Sequence, residues 1–197
     1  HTQIITIPEG WTIRDIANYL EQEKIGDARA FASFSANRLP LEFMEQFPVL
    51  GERPRAANLE GYLFPDTYHI FSDTPAEELI RRMLDNFSKK ISFEIQEKIQ
   101  KDNRALYEVI TMASMIEKEV VSDEDRKIVA GILWKRIEMD MPLQVDATII
   151  YIKKQSWYRE QTSRMDYSPR VSIEDTQIDS PYNTYKYKGL PPEPICN

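Results

Sequence analysis

Two consecutive helix patterns in the middle of the chain constrain the fold most. Residues 106–120 and 122–139 carry the clearest helical periodicity of the 197 residues, and Pro142 ends the second pattern. The longest nearly apolar run, residues 109–116, is far shorter than the roughly 20 residues that a bilayer span requires. The sequence therefore predicts strong helices in a chain that is soluble as given.

Composition narrows the class of protein. With 42% hydrophobic and 11% aromatic residues the chain is expected to fold into a globular structure. A formal net charge of -7 argues against non-specific binding to the phosphates of nucleic acid. One cysteine, Cys196, and two histidines at no metal-binding spacing, His1 and His69, exclude a disulfide framework and predict neither a metal site nor a cofactor.

The remaining elements predict a helix-rich α+β fold with a few short strands. Residues 3–7 alternate as a strand and run through a turn into a helix capped by Thr12, which gives an N-terminal strand-turn-helix unit. Thr74 and Pro75 begin a helix that reaches about Lys90. Further short helices are predicted at residues 27–37, 41–47, 91–101 and 172–178, a short β-like run at 147–151, and irregular chain at 157–170.

A candidate domain boundary follows the Arg53-Pro54-Arg55 segment, which is typical of a linker or exposed loop. The sequence therefore predicts an N-terminal subdomain, residues 1–58, and a second region, residues 59–197, in which any chemistry would lie.

Glu117 is the position at which the pattern points to chemistry. At about 100° per residue, Glu117 lies about 40° from Ala113, within the apolar stripe of the first strong helix. The stripe comprises Leu106, Val109, Ile110, Ile116 and Val120. Desolvation in such a stripe raises the pKa of a carboxyl and keeps a proton available, which is typical of a general acid.

The alternative for Glu117 is a structural ion pair with an arginine such as Arg81, Arg82 or Arg136. Helical geometry places Glu119 near 240°, on a flank where its charge is solvated. Glu119 is therefore expected to matter little for chemistry.

The sequence around Glu117 resembles a known family. Residues 110–119, ITMASMIEKE, resemble the catalytic helix of the endolytic murein transglycosylases, the YceG-like or MltG family. Three further blocks occur in the family's order: LEGYLFPDTY at 59–68, LQVDATIIY at 143–151, and SPYNTY at 180–185 followed by GLPPEPI at 189–195. Residues 5–20 are also similar to the strand-turn-helix unit that opens this region.

The chain departs from the family pattern at three neighbours of these blocks. Val145 and Ala147 stand where the family commonly has threonine and proline, and Val120 where it often has threonine, but Glu117 is unaffected. The family also carries a membrane helix, a LysM-like module and a closing segment that have no counterpart in this sequence. The resemblance therefore implies most of a catalytic region from a membrane-anchored bacterial protein.

The resemblance implies a lytic transglycosylase that cleaves the MurNAc-GlcNAc β-1,4 bond of glycan strands and leaves 1,6-anhydroMurNAc ends, with Glu117 as general acid and base. It implies action at the extracytoplasmic face of the cytoplasmic membrane on peptidoglycan, with cell-wall synthases as partners and no nucleic acid. The implied substrate-binding residues are Glu60, Asp66, Thr67, Gln144, Asp146, Thr148, Asn183 and Tyr185.

Alternatives remain at each level. The acids among these residues could support the cleft, Asp66 could cap a turn, and Tyr182, Tyr185 and Tyr187 could cover the core. A hydrolytic muramidase would use water as acceptor, and a peptidoglycan-binding scaffold module would perform no chemistry. A scaffold module has no need of Glu117 on an apolar stripe.

Overall fold

The computed structural model describes residues 2–36, 39–160 and 170–197. The chain divides into two compact units, residues 1–110 with 196–197 (unit 1) and residues 111–195 (unit 2). The division falls inside a helix and differs from the predicted boundary after residue 58. The reason is strand pairing, since residues 67–71 form a strand with residues 2–6 and so join the N-terminal unit.

Unit 1 consists of helices and a two-stranded antiparallel sheet, which confirms the predicted α+β class. Strand β1 (Thr2–Thr6) pairs with β2 (Thr67–Phe71) in a register that places Ile5 opposite Tyr68. The helices are α1 (Ile13–Gln22), α2 (Ala28–Ala36), α3 (Leu41–Gln46), α4 (Ala76–Lys90) and α5 (Phe93–Lys101), with a 3₁₀ turn at Pro48–Leu50. Side chains from the sheet and from these helices share one core.

Helix starts in unit 1 show where local signals hold and where they fail. The hydroxyl of Thr12 accepts from the Asp15 N–H at 3.1 Å and the Asp15 carboxylate accepts from the Thr12 N–H, so the predicted capping box is confirmed. Thr74 does not cap α4. Its hydroxyl accepts from the Phe71 N–H at 2.8 Å, which closes the turn after β2, and Pro75 takes the N-cap position.

Unit 2 contains the second half of α6 (Leu106–Glu119), together with α7 (Asp123–Glu138), α8 (Asp146–Glu160) and a 3₁₀ turn at Asp175–Gln177. Ser122 caps α7, as the sequence predicts. The predicted β-like run at 147–151 is wrong, because these residues form the start of α8. Tertiary contacts override the β-propensity here, since Ala147, Thr148 and Ile149 are all buried in helical form.

The core of unit 2 forms where the second half of α6 meets α7, α8 and the end of the unit. Met112, Met115 and Ile116 of α6 share a cluster with Leu133 and Ile195. Residues 157–160 of the predicted irregular stretch belong to α8, and residues 161–169 lie outside the described residues. Among the described helices, none combines the length and apolarity that crossing a membrane requires.

Candidate active site

Glu117 lies on a face of α6 that is turned toward solvent. Its side chain is 29% exposed, and Ala113, one turn earlier on the same face, is exposed. The carboxyl is therefore only partly desolvated, and its role as a general acid stays a prediction. An accessible carboxylate on a small, partly apolar helix face can be approached by a substrate.

The helix face was misassigned because α6 is apolar over most of its circumference. In unit 2 the buried arc includes Thr111 and Met115, each about 160° from Ala113 around the helix, and Ser114, about 100° from it. Ser114 can be buried there because its hydroxyl makes two hydrogen bonds. The Ser114 hydroxyl donates to the Thr111 carbonyl at 2.8 Å and accepts from the Ile195 N–H at 2.9 Å.

Arg126 is the arginine that pairs with Glu117. Its Nη2 lies 3.1 Å from Glu117 Oε2, and its Nη1 lies 3.4 Å from an oxygen of Asp123. The three arginines named from the sequence are engaged elsewhere. Arg81 and Arg82 pair with glutamates one turn away on α4, and Arg136 donates to the Leu143 carbonyl at 2.6 Å.

The Glu117–Arg126 pair contributes little to stability. Both side chains are about one-third exposed, at 29% and 34%, and exposed ion pairs contribute about 0–1 kcal/mol. Their positions are also unfavourable for the helix dipoles, because the anion lies in the last turn of α6 and the cation near the start of α7. Folding alone therefore does not account for this arrangement.

Glu119 links α6 to the start of α8. Although the residue is exposed, its Oε1 accepts a hydrogen bond from the Ala147 N–H at 3.0 Å. This donor is one of the first N–H groups of α8, which have no partner within the helix. The carboxylate is thus a helix cap contributed from another helix, and the prediction of a merely solvated charge is corrected.

Asp146 and Tyr185 lie together at the same end of α8. The Tyr185 hydroxyl donates a short hydrogen bond to Asp146 Oδ1. Partial burial, the Asp146 hydrogen bond and the nearby charges of Asp146 and Glu119 raise the pKa of Tyr185 to about 12. Tyr185 is therefore a neutral donor at ordinary pH, with an exposed carboxylate beside it.

Gln144 and Thr148 have different surroundings, although the sequence treats them alike. Gln144 is exposed at a positive φ of 55°, with its N–H bonded to the Thr184 carbonyl at 3.0 Å. Thr148 is fully buried and its hydroxyl lies 2.7 Å from the Val145 carbonyl and 3.0 Å from the Thr184 hydroxyl. Direct sugar contact stays a prediction for both residues, although only Gln144 is exposed in this structure.

Asn183 is also a structural residue. It is fully buried, and its Nδ2 donates to the carbonyls of Thr176 at 3.0 Å and Ile178 at 2.7 Å, while its Oδ1 accepts from the Tyr185 N–H. These hydrogen bonds give Asn183 a structural role, and the substrate-binding call stays a prediction. Asn183 fixes the backbone that presents Tyr185.

Glu60 belongs to unit 1 and supports the fold there. It is 3% exposed, and its carboxylate accepts from the Ile13 N–H at 2.9 and 3.2 Å and from the Asn197 amide. A carboxylate at the first N–H of α1 satisfies an orphan donor and matches the positive end of the helix. The structure shows Glu60 in this supporting role, and a sugar contact at Glu60 stays a prediction.

Asp66 and Thr67, also in unit 1, lie at the start of β2. Asp66 accepts from Asn86 Nδ2 and from the Thr67 N–H, both at 2.7 Å, and these two hydrogen bonds hold its pKa below its usual range. The Thr67 hydroxyl lies 3.0 Å from that of Thr6 across the strand pair. The turn-capping alternative for Asp66 is thus observed, and both residues remain exposed.

Comparisons with known proteins show to which family this chain belongs. A sequence model of the YceG-like family matches residues 1–197. The chain belongs to the YceG-like family. It is 36% identical to an endolytic murein transglycosylase of Streptococcus pneumoniae strain R6 over 97% of this chain, and 31% identical to one of Bacillus subtilis strain 168 over 98%. The resemblance found in the sequence is confirmed.

A crystal structure supports the fold of this family member. A putative yceG-like protein from Listeria monocytogenes, 30% identical, matches with a TM-score of 0.78 over 98% of this chain and 62% of its own. The chain spans 36% of the length of the Streptococcus relative and 52% of the Bacillus one. Among the described residues, no group of histidine, cysteine and carboxylate side chains could hold a metal ion.

Sequence reasoning missed two functional neighbours in this family member. Arg126 could have been found from the predicted helices, since it lies one turn into α7 after a short connection, facing the last turn of α6. Thr184 carries no local signal. Its hydroxyl accepts from the Val145 N–H at 3.0 Å and so fixes the start of α8 over 39 residues of sequence.

Proposed function

We propose that this chain is the catalytic region of an endolytic lytic transglycosylase that cleaves the MurNAc-GlcNAc β-1,4 bond of peptidoglycan. The observation that carries the proposal is the accessible Glu117 carboxylate on an exposed face of α6, in a chain of the YceG-like family. Its relatives are named endolytic murein transglycosylases.

Glu117 performs both proton transfers in this mechanism. Its carboxyl first donates a proton to the glycosidic oxygen, and the bond to C1 of the muramic acid breaks through an oxocarbenium-like transition state. The resulting carboxylate then accepts the proton of the C6 hydroxyl, whose oxygen bonds to C1. The products are a free GlcNAc 4-hydroxyl and a 1,6-anhydroMurNAc end, and no water is consumed.

One accessible carboxyl is sufficient for this chemistry, whereas hydrolysis ordinarily requires a second as base or nucleophile. The two other acids near the start of α8 are already used. Glu119 caps the helix through Ala147 N–H, and Asp146 accepts from Tyr185. The names of the relatives favour the lytic reaction over a muramidase.

The surroundings of Tyr185 suit a sugar-binding surface beside the catalytic helix. Gln144 and Asp146 are exposed and Tyr185 is half-buried, so an amide, a carboxylate and a phenol are presented from one end of α8. Such groups bind carbohydrate through directed hydrogen bonds and ring contacts. Tyr182 differs, because it packs 5.0 Å from the Tyr151 ring and helps to cover the core.

Membrane anchoring, an extracytoplasmic location and association with cell-wall synthases belong to the proposal for the whole protein. They rest on the family resemblance.

The product ends test the function. Glycan strands incubated with the chain should yield muramic acid ends that borohydride cannot reduce, and none should form with Glu117→Gln. Reducible ends would instead identify a muramidase. Binding without any cleavage would identify a scaffold module.

A further inference from the structure

We propose that Arg126 is the positioning residue of Glu117, holding its carboxylate in one orientation on the exposed face of α6 and compensating the negative charge left when its proton departs. This inference rests on the proposed function, in which Glu117 is the general acid. The two failures are distinguishable, because Arg126 and Glu117 are tested by separate variants with different readouts.

The connection between the two helices fixes the distance. Helix α6 ends at Glu119 and α7 begins at Asp123, so only residues 120–122 separate them. The Ser122 hydroxyl accepts from the Asp125 N–H at 3.1 Å, and the Arg126 N–H donates to the Ser122 carbonyl at 2.9 Å. The backbone of Arg126 is therefore anchored at a well-capped helix start.

The guanidinium is fixed at both ends of its fork. Nη2 donates to Glu117 at 3.1 Å, Nη1 approaches Asp123 at 3.4 Å, and Nε is buried without a hydrogen-bond partner. A planar fork can span two carboxylates, whereas the single ammonium of lysine cannot do so in the same geometry. A buried Nε without a hydrogen-bond partner lowers the stability of the fold. An ion pair formed only on the surface would not require this loss.

The reaction explains why a cation belongs at this position. Between the two proton transfers Glu117 is an anion, and a guanidinium 3.1 Å away stabilises that state. The structure places the Arg126 guanidinium at this carboxylate and, beyond it, the Asp123 carboxylate, both on α7. Orientation matters equally, since a displacement of about 1 Å at a reacting group can reduce the rate about 100-fold.

The test compares Arg126→Gln with Arg126→Lys and with Lys127→Gln, a matched charge removal at the exposed neighbouring residue of α7. One readout is the titration midpoint of the Glu117 carboxyl carbon by NMR. The other is the pH profile of anhydro-end formation. Loss of the cation favours the protonated acid, so both the midpoint and the alkaline limb of kcat/KM should move to higher pH by about half a unit in Arg126→Gln.

The turnover number separates charge from orientation. We expect kcat to fall about 10- to 100-fold in Arg126→Gln and less in Arg126→Lys, which should keep the alkaline limb near its original pH. Lys127→Gln should match the parent in every readout. If Arg126→Gln is unstable, the NMR midpoint and the kcat of Arg126→Lys test the proposal instead. An unchanged kcat in Arg126→Lys would contradict the claim that the guanidinium orients Glu117.

Unchanged midpoint, pH profile and kcat in Arg126→Gln would overturn the proposal and leave the proposed function intact. Full activity in Glu117→Gln would overturn the proposed function, whatever Arg126 does.

Discussion

Glu60 and Glu117 are both glutamates within family blocks, yet the structure uses them in opposite ways. In unit 1 the Glu60 carboxylate is 3% exposed and occupied by the Ile13 N–H and the Asn197 amide. In unit 2 Glu117 is 29% exposed, and its ion pair with Arg126 contributes little to folding. The family blocks therefore contain two kinds of acid, one that holds the backbone in place and one that remains accessible for chemistry.

The strongest test of this contrast is Glu117→Gln. The amide preserves size but cannot donate and recover a proton, and general acid catalysis contributes about 10²- to 10⁴-fold. We expect anhydro-end formation to fall by at least that factor while the thermal unfolding midpoint stays within experimental error. Glu119→Gln is the control on the same helix. Retained cleavage in Glu117→Gln, or loss only in Glu119→Gln, would show that the wrong acid was chosen.

Glu60→Ala should give the opposite result. Removing a buried acceptor leaves the Ile13 N–H and the Asn197 amide without it, so the free energy of unfolding should fall by about 2–3 kcal/mol. Urea unfolding measures this loss, with Glu21→Ala, an exposed site on α1, as control. A loss below about 0.5 kcal/mol would end the distinction between the two glutamates.

Asn183→Ala extends the same reasoning into unit 2. The carbonyls of Thr176 and Ile178 lose their donor and the Tyr185 N–H loses its acceptor, which should reduce the unfolding free energy by about 1–2 kcal/mol. Gln177→Ala removes an exposed amide from the same segment and should have little effect. Equal stabilities of the two variants would contradict the structural assignment of Asn183.

Local signals in the sequence were sufficient to predict where most helices begin and end. Thr12 and Ser122 carry complete N-cap patterns and both cap as predicted. The N-cap prediction for Thr74 was wrong because its hydroxyl accepts from the Phe71 N–H in the preceding turn. The β-strand prediction for residues 147–151 was wrong because the start of α8 depends on hydrogen bonds with residues 28 to 39 positions away in the sequence.

The sequence predicts Glu117 as the site residue, but it could not predict the surroundings of Glu117. The resemblance singled out Glu117, and periodicity placed it with Ala113 on one helix face, which is correct. Periodicity could not show which face is buried, because Thr111 and Ser114 are polar residues that are nevertheless buried, and the Ile195 N–H that bonds the Ser114 hydroxyl is 81 residues away in the sequence. The same limitation concealed that Thr148 and Asn183 are interior residues.

Glu119 offers a smaller test of what an exposed carboxylate can do for the fold. Glu119→Gln keeps an oxygen that can accept from the Ala147 N–H, so stability should hardly change. Glu119→Ala removes the acceptor and should reduce the unfolding free energy by about 0.5–1.5 kcal/mol. Calorimetry on the pair measures the difference. Identical melting of the two variants would show that water replaces the cap without cost.

The smallest expected effect is a shift in the titration of Tyr185. Burial comes first among the causes that raise its pKa to about 12, followed by the Asp146 hydrogen bond and charge. Asp146→Asn removes the charge, so the pKa of Tyr185 should fall toward the usual 10 while burial keeps it above that value. NMR of tyrosine Cζ carbons measures this shift. Asp179→Asn is the matched control, because a hydrogen bond to Asp179 is the main cause of the raised pKa of Tyr187. Each variant should therefore shift its own tyrosine, and a shift of Tyr185 in Asp179→Asn would show that the two carboxylates do not act locally.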